Sequence, residues 1–554
     1  MGKEKIKILG ISCGHRKGRN TAWLTLYALK AAEKFGRRIS EVADIETEFI
    51  DLWGKKISPR MTCDIIDGDY RSLVEEDYIT RELMPKIAEA DGLVFGCPVF
   101  TSSYTSSFIK LIEHLRIGIK HGYYTNKPAG TVTVATMMIG GQEPCLGHMN
   151  MCIRSLGMIP VNWLNGACGV SGIPYGPMAG KDDGTVIALQ KDRFAQWGSV
   201  FTGRRVAEVA VKQRLAKRRL GDLYHKEFIQ VCGTSKEDES WNWKKLGRDD
   251  EKYVQGLEHD DLMALDGKIV KPEESNNKPV CKIVGFSCDD HAGRDTSWLV
   301  VNSLKAIEEF GRRIDSVCSF ETEYVDMADK QIRACFNCDK RYEIPHGAER
   351  WSGPVCPDDK FGCIIRNDYM SKEVLPRVES GDGFIIGSSV CGLATSVTFR
   401  LFHERFAAGI FKGHTSSKPT ANIAVAYGGE SGQETCLNVM NTCNRWVELI
   451  PVGWPHGTPA SGGPITYKNE PVKIAVKEDQ SANELSILNA RRVAEFALVN
   501  KLAKQELGDV FSREFYEVIH PPHGNATWEW SRLDNEEHEY MLNLTPETLA
   551  ELGK

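Results

Sequence analysis

The sequence lacks any uninterrupted apolar run of the roughly 18 residues that a membrane-spanning helix needs. It also lacks a basic excess, because 69 Lys and Arg residues face 75 Asp and Glu residues, for a formal net charge of −6. A protein that binds a nucleic-acid backbone would carry the opposite imbalance. The first residues include lysines but no apolar core of signal-peptide length. We therefore expect a cytoplasmic protein whose partners include neither a membrane nor a nucleic acid.

Cysteine, in contrast, is abundant. The chain carries 17 cysteines, an odd number, in a long sequence without a secretory signal. Free thiols and metal or cluster ligation are therefore expected ahead of a disulfide framework. The 554 residues also exceed what one compact core accommodates, so we expect at least two domains.

One sequence pattern occurs twice along the chain. Ile8–Cys13 (ILGISC) returns 275 residues later as Ile283–Cys288 (IVGFSC). Further landmarks return in the same order, namely FGRRI at 35 and 310, GQE at 141 and 432, and RRVAE at 204 and 491. A period this long indicates a duplicated domain rather than a solenoid. We expect domains at residues 1–268 and 279–554, arranged as an internal pseudo-dimer, with further self-association of the chain left open.

Within each copy, short apolar runs alternate with helical patterns. The strand-like runs of the first copy are Ile6–Ile11, Glu48–Asp51, Gly92–Gly96, Val132–Ala135 and Ile159–Trp163. Strands separated by helices predict right-handed crossovers and a parallel sheet covered on both faces. The fold class is therefore α/β, with two tandem flavodoxin-like doubly wound domains, five-stranded parallel sheets, and ligands at the carboxyl edge of the strands. Each copy ends in a helical, Trp-rich C-terminal extension.

The turn after the first strand has the composition of a phosphate-binding loop. We call residues 12–21 (SCGHRKGRNT) the first phosphate loop. Backbone N–H groups and the positive end of the following helix dipole would face a phosphate monoester, and Ser, Asn and Thr side chains would add donors.

This loop resembles the sequence Ser-Gly-Ser-Pro-Arg-Lys-Gly-Gly-Asn-Thr of the NADPH-dependent FMN reductases and the related iron–sulfur flavoproteins. Gly96–Phe100 (GCPVF) and Gly140–Glu143 (GGQE) are similar to two further motifs of that family, Gly-Ser-Pro-Val-Tyr and Gly-Gly-Gln-Glu. The resemblance covers about residues 5–170 and 281–460. It implies bound FMN, with the phosphate in the first loop and the isoalloxazine ring flanked by the other two. The matching positions are Ser12, Arg16, Gly18, Asn20, Thr21, Pro98, Val99, Phe100, Ser102, Gly140 and Gly141.

The second copy departs from this pattern. Its loop at residues 287–296 (SCDDHAGRDT), the second phosphate loop, carries Asp289, Asp290 and Asp295 where the first has Gly14, His15 and Asn20. Three carboxylates repel a dianionic phosphate. We therefore expect one FMN, in the first copy, with a second FMN as the alternative.

A cysteine cluster occurs only in the second copy. Cys335, Cys338, Cys356 and Cys363 follow the second strand with the spacing C-x2-C-x17-C-x6-C. The iron–sulfur flavoproteins have a compact C-x2-C-x2-C and a fourth cysteine at this point, and here Arg341 stands where the third would fall. We interpret the four cysteines as ligands of a [4Fe–4S] cluster. A structural zinc site, with His346 as a further ligand candidate, stays open.

Together these features predict an FMN-dependent oxidoreductase that couples flavin hydride chemistry to a [4Fe–4S] cluster. Electrons would arrive from NAD(P)H or a reduced carrier protein and leave to a small organic acceptor or a second carrier. One alternative is an NAD(P)H-dependent flavin or quinone reductase with structural zinc. Another is a non-catalytic electron carrier or docking protein. No residue is identified as a catalytic acid or base.

Overall fold

The computed structural model divides the chain into two compact units. The first unit comprises residues 1–242, 502–515 and 533–554, and the second comprises residues 243–501 and 516–532. The residues that the structure describes are 3–59, 77–137, 140–162, 166–171, 187–230, 254–272, 278–335, 363, 365–406, 413–428, 431–462, 474–515 and 541–553.

The first unit is built on a parallel sheet. Its strands are β1 (Glu4–Ser12), β2 (Ala43–Asp51), β3 (Gly92–Pro98), β4 (Pro128–Ala135), β5 (Ile159–Pro160) and β6 (Ala167–Val170). They are ordered β2-β1-β3-β4-β5, with β6 also paired to β4, and every pairing is parallel. This is the flavodoxin-like winding predicted from the sequence, enlarged by the sixth strand.

Helices connect these strands. They are α1 (Asn20–Arg38), α2 (Met84–Glu89), α3 (Ser106–Leu115), α4 (Gln142–Ser155), α5 (Arg193–Leu220) and α6 (Asp222–Glu227), with short turns at Ile79–Leu83, Arg116–His121 and Ala188–Lys191. The strand β4 is buried along its whole length, as expected for a strand covered on both faces. One core cluster joins Ile11 and Phe95 of the sheet to Phe108 of α3 and Leu146 of α4.

The second unit repeats the winding but its sheet is mixed. Its strands are β7 (Ile269–Val270), β8 (Val280–Cys288), β9 (Ser319–Asp326), β10 (Gly383–Cys391), β11 (Ala394–Thr395), β12 (Pro419–Ala426), β13 (Ile450–Pro451) and β14 (Thr458–Ser461). The parallel strands are ordered β9-β8-β10-β12-β13, and β14 pairs with β12.

The prediction of a purely parallel sheet is therefore wrong for the second unit, for two physical reasons. A segment ahead of β8 supplies β7, which pairs antiparallel with the edge strand β9. The strand β10 turns back on itself as β11, because Gly392 and Leu393 both have positive φ, at 55° and 64°. Two successive residues of this kind form a tight hairpin turn.

The helices of the second unit follow the same succession. They are α7 (His259–Leu265), α8 (Asp295–Arg313), α9 (Leu375–Ser380), α10 (Val397–Phe406), α11 (Gln433–Trp446) and α12 (Gln480–Leu507), with short turns at Met370–Val374 and Ala475–Glu478. From Leu502 onward α12 belongs to the first unit, as do α13 (Asp509–Glu514) and α14 (Pro546–Leu552). Within the described ranges, no helix combines the length and apolarity that a membrane crossing requires. The four tryptophans of the extensions, Trp241, Trp243, Trp528 and Trp530, lie outside the described residues.

Candidate functional site

The first phosphate loop connects the end of β1 to the start of α1. Ser12 and Thr21 are buried, and the Gly14 N–H donates to Ser12 Oγ at 3.4 Å. No side-chain hydrogen bond caps α1 at Arg19, and the first turn of this helix carries no acidic residue. The N–H groups of a helix's first turn have no intrahelical partner and bear partial positive charge. The residues present therefore fit a bound phosphate at this position.

Asp51, at the end of β2, fixes the shape of this loop. Gly18 adopts φ +61°, and its N–H donates to Asp51 Oδ2 at 3.3 Å. Burial raises the pKa of Asp51, and the hydrogen bonds from Trp53 and Gly18 only partly offset that rise. Asp51 is not among the residues predicted from the sequence. The equivalent Asp326 of the second copy also receives a hydrogen bond from a loop glycine, Gly293, at 3.0 Å. The repeat itself was the signal that could have identified it.

Asn20 has a second contact besides its predicted role at the phosphate. Its Oδ1 accepts a hydrogen bond from the Leu189 N–H at 3.2 Å. Leu189 lies in the short turn Ala188–Lys191 that precedes α5. Asn20 therefore ties the start of α1 to this turn, while Arg16 is exposed at the outer side of the loop.

The two predicted ring-flanking loops contact each other. After Pro98 ends β3, the Val99 N–H donates to Val134 O at 2.8 Å. The next residues turn back at Thr101 and Ser102, both with positive φ. Gly141 has φ +88°, and a Cβ there would lie 2.5 Å from the Ser102 Cα, so only glycine fits against this turn.

The phosphate loop and the ring-flanking loops form one continuous edge. The His15 ring meets the Phe100 ring edge-on, with centroids 6.0 Å apart. Gln142 stabilises the ring-flanking loop between β4 and α4, since its Nε2 donates to Met137 O at 2.7 Å and its Oε1 accepts from the Gly140 N–H at 2.9 Å. Phe100 and Met137 are 64% and 58% exposed. The predicted site residues thus lie along the carboxyl edge of β1, β3 and β4, where an exposed apolar surface suits a planar ring.

The second phosphate loop has the same shape but a different charge. Asp295 begins α8, and its Oδ1 accepts a hydrogen bond from the Val476 N–H at 3.0 Å, as Asn20 does from Leu189. Asp289 is buried and its Oδ1 accepts from the Asp290 N–H at 2.7 Å. Burial, with a smaller contribution from the Asp289 carboxylate, raises the pKa of Asp290 and of Asp295. The carboxylates of Asp290 and Asp295 therefore lie close enough to that of Asp289 to interact with it electrostatically.

A buried ion pair anchors the segment that carries the cysteines. Arg405 of α10 is 1% exposed, and its Nη1 donates to Asp368 Oδ2 at 2.6 Å. The same guanidinium donates to the carbonyl oxygens of Arg333 and Ile365, at 3.2 and 3.1 Å. These carbonyls belong to the stretches that precede and follow the cysteine segment. Arg405 is not predicted from the sequence, because nothing in its local pattern distinguishes it from a surface arginine on a helix.

Two of the four predicted ligands lie among the described residues. Cys363 is buried in the core cluster of the second unit beside Ile365, and Cys335 is half-buried, its N–H donating to Glu404 Oε2 at 3.4 Å. Cys338 and Cys356 lie outside the described residues. In the part of the chain that the structure describes, no three His, Cys, Asp or Glu side chains are grouped to hold a metal. The donor set of four thiols is chemically suited to an iron–sulfur cluster or to zinc.

The region that carries this site is similar to known flavoproteins. Residues 6–166 match the sequence profile of the NADPH-dependent FMN reductase family. An iron–sulfur flavoprotein of Methanocaldococcus jannaschii is 30% identical over 209 residues, which are 37% of this chain and 97% of that protein. An iron–sulfur flavoprotein of Archaeoglobus fulgidus is 27% identical over 157 residues, covering 28% of this chain and 75% of that protein. The solved structure of RosB with a bound 8-demethyl-8-formylriboflavin-5′-phosphate intermediate is 21% identical, covers 42% of this chain and 92% of that one, and has a TM-score of 0.30.

Proposed function

We propose a division of labour for this chain, which belongs to the family of the NADPH-dependent FMN reductases and iron–sulfur flavoproteins and is a flavin-dependent oxidoreductase. In this proposal the first unit binds FMN and the second unit binds a [4Fe–4S] cluster. The observation that carries it is the contrast between the two helix starts. The first turn of α1 has no acidic residue, whereas α8 begins with Asp295 behind Asp289 and Asp290.

The first unit would hold FMN through its three loops. Ser12, Arg16, Gly18, Asn20 and Thr21 would bind the phosphate, and residues 98–102 with Gly140 and Gly141 would frame the ring. Bound FMN supplies two-electron hydride chemistry together with one-electron transfer. The chain contributes position, since the contacts between Ser102 and Gly141 and between His15 and Phe100 hold the loops of the site against one another.

The second unit would hold the cluster through Cys335, Cys338, Cys356 and Cys363. Support comes from the thiol quartet, which occurs in this copy alone, and from the Arg405–Asp368 pair that fixes the backbone on both sides of it. A cluster supplies one-electron transfer. Electrons would come from NAD(P)H or a reduced carrier protein and pass to a small organic acceptor or a second carrier.

We also propose that the chain is a duplicated subunit whose copies form an internal pseudo-dimer. The repeated motifs support this origin. So does the composition of the units, because each of them is completed by a segment that follows the other copy's sheet in the sequence. A homodimer whose subunits exchange C-terminal segments has this organisation when its two chains are fused.

One measurement tests both cofactors. Flavin, iron and acid-labile sulfide are quantified per chain after anaerobic purification, and we expect one FMN with iron and sulfide in a four-to-four ratio. Zinc without sulfide would contradict the cluster and favour a structural metal. Two FMN per chain would contradict the exclusion of phosphate by the acidic loop.

A variant pair connects the cluster to its ligands. Cys338→Ser should abolish iron and sulfide binding while FMN stays bound, because a cluster needs its thiolate ligands. Cys63→Ser in the equivalent stretch of the first copy should leave both cofactors in place. Oxidation of NAD(P)H with a panel of small acceptors then decides between an enzyme and an electron carrier. Absence of turnover with every acceptor would favour the carrier.

A further inference from the structure

The first phosphate loop is covered by a segment that lies more than 500 residues away in the sequence. We call residues 541–553, which include α14, the C-terminal strap. It belongs to the first unit and packs against β2. Met541, Leu544 and Leu549 of the strap are buried. The strap is therefore docked on the first unit through apolar side chains.

The C-terminal strap contacts the loop at its tightest point. A Cβ added to Gly18 would collide with the Pro546 carbonyl oxygen and would lie 2.8 Å from the Ala550 nitrogen. A Cβ on Gly553 would lie 2.9 Å from the Asp51 Cβ. Backbone of the strap thus lies close to the loop glycine and to Asp51, the residue whose carboxylate accepts the glycine N–H.

Two hydrogen bonds join the C-terminal strap to the elements beside the loop. The Trp23 indole N–H, from the first turn of α1, donates to Met541 O at 2.8 Å. The Gln190 amide, from the turn that Asn20 binds, donates to Leu544 O at 2.8 Å. The strap therefore connects the loop, the start of α1 and the turn that Asn20 contacts.

The second unit contains the same arrangement with equivalent residues. Residues 254–266, which we call the internal strap, cover the second phosphate loop, and the Trp298 indole N–H donates to Val254 O at 3.0 Å. Trp298 follows Trp23 by 275 residues, and Met541 follows Val254 by 287, the offsets of the sequence repeat. A Cβ on Gly293 would meet the side chains of His259 and Met263, at 3.0 and 3.1 Å. The internal strap thus approaches its loop through side chains rather than backbone.

We propose that the C-terminal strap is a positioning element for FMN, which holds the first phosphate loop in its binding conformation from outside the site. This rests on the proposed placement of FMN in the first unit. Docking of the strap and binding of FMN are then linked, so each strengthens the other by the same factor. The equivalent internal strap stabilises the second unit but contributes nothing to FMN affinity.

The repeat supplies a matched pair of variants in the full-length chain. Leu549→Glu introduces a charge at a fully buried position of the C-terminal strap, and Leu262→Glu does the same at the equivalent position of the internal strap. The dissociation constant of FMN is measured by fluorescence quenching on reconstitution of the apoprotein, with thermal unfolding of each variant recorded. We expect Leu549→Glu to raise this constant about tenfold, which is about 1.4 kcal/mol, and Leu262→Glu to change it less than about twofold.

A second, more conservative pair of variants distinguishes loss of the strap contact from misfolding of the chain. Trp23→Phe removes the donor to Met541 O together with part of the buried ring and should weaken FMN binding in the same direction, whereas Trp298→Phe, which loses the same atoms at the equivalent buried position, should not. Limited proteolysis within residues 541–553 gives a readout independent of activity, because cleavage there requires an undocked strap. Saturating FMN should slow this digestion.

The outcomes separate this proposal from the one before it. An unchanged FMN dissociation constant in Leu549→Glu, or equal weakening by both glutamate variants, overturns the positioning role while leaving FMN in place. A wild-type chain that binds no FMN, or weakening by Leu262→Glu alone, overturns the placement of FMN in the first unit instead.

Discussion

The two phosphate loops lead into helices that begin with different residues, Asn20 in the first unit and Asp295 in the second. Each side chain accepts a hydrogen bond from the backbone of the turn that precedes the unit's longest helix, at 3.2 and 3.0 Å. The folding contact is therefore the same and the charge is not. The second loop thus keeps the backbone contact of the first, but its aspartate side chains carry negative charge, which opposes the binding of phosphate.

The two units can also be compared at the residues that hold the segments following β2 and β9. Asp77 and Asp368 both accept backbone N–H groups, from Ser58 at 2.5 Å and from Arg333 at 3.0 Å. Their partners differ, because His114 of α3 donates to the Ser58 carbonyl at 2.9 Å where Arg405 of α10 forms a buried ion pair. The second unit, which carries the cysteine segment, thus differs from the first by having Arg405 where the equivalent helix of the first unit has His114.

The largest expected effect comes from removing the cation of that anchor. Arg405→Met leaves the Asp368 carboxylate buried without its partner and should lower the free energy of unfolding of the second unit by about 3–5 kcal/mol. Denaturant unfolding measures this loss. Arg400→Met, at an exposed position of the same helix, is the control and should cost less than about 0.5 kcal/mol. Equal costs would show that the ion pair is not an anchor.

Exchange of Asn20 and Asp295 tests the loop comparison directly. Asn20→Asp keeps the acceptor for the Leu189 N–H but places a carboxylate beside the phosphate, at an expected cost of about 2 kcal/mol in FMN binding. Asp295→Asn should leave FMN affinity unchanged. Both are measured by titration of apoprotein with FMN. Wild-type affinity in Asn20→Asp would mean that charge at this position does not select the FMN-binding loop.

Acidification should distinguish wild type from Arg405→Met. Burial favours a higher pKa for Asp368, but the hydrogen bonds from Arg405 and from backbone N–H groups prevail and lower it. The wild-type pair therefore stabilises the second unit above the ordinary carboxyl pKa of about 4, and this contribution is lost as the pH falls through the lowered value. In Arg405→Met, burial without the guanidinium raises the pKa of Asp368, so the folded state of the variant binds a proton more readily than the wild type. The difference in stability between the two proteins should shrink toward low pH by up to about 1.4 kcal/mol per pH unit, as followed by unfolding at several pH values. A constant difference would contradict the assigned charge state.

The smallest effect concerns a thiol pair of the second unit that has no counterpart at the equivalent positions of the first. Cys281 and Cys318 are buried with their Sγ atoms 3.6 Å apart, and the equivalent residues of the first unit are Ile6 and Ala43. The double variant Cys281→Val/Cys318→Ala replaces both thiols by apolar side chains of nearly the same total volume and should change the free energy of unfolding by less than about 1.5 kcal/mol, since such exchanges are tolerated. Chemical denaturation provides the measurement. A much larger loss would indicate that the thiols have a role beyond packing.

The sequence predicted the winding of the first unit and the loops of the candidate site, because both depend on local pattern. Apolar runs such as Gly92–Gly96 identify buried strands, and a glycine-containing turn between β1 and α1 indicates a candidate phosphate loop, whose binding role stays a prediction. It did not predict Asp51, Arg405 or the straps. Their roles depend on contacts across long sequence separations, such as Trp23 with Met541, and no local pattern specifies such a contact. The antiparallel strand β7 escaped prediction for the same reason, since two residues have no readable periodicity.

The position of the C-terminal strap has a consequence for synthesis of the chain on the ribosome. The second unit already has its internal strap when its phosphate loop emerges, because residues 254–266 precede residues 287–296. The first unit must wait for about 300 further residues beyond its own helices before residues 541–553 emerge. At roughly 5–20 residues per second this delay is about 15–60 s. The nascent first unit therefore exposes an unstrapped loop for that time, and on the proposed linkage high-affinity flavin loading follows the emergence of residues 541–553.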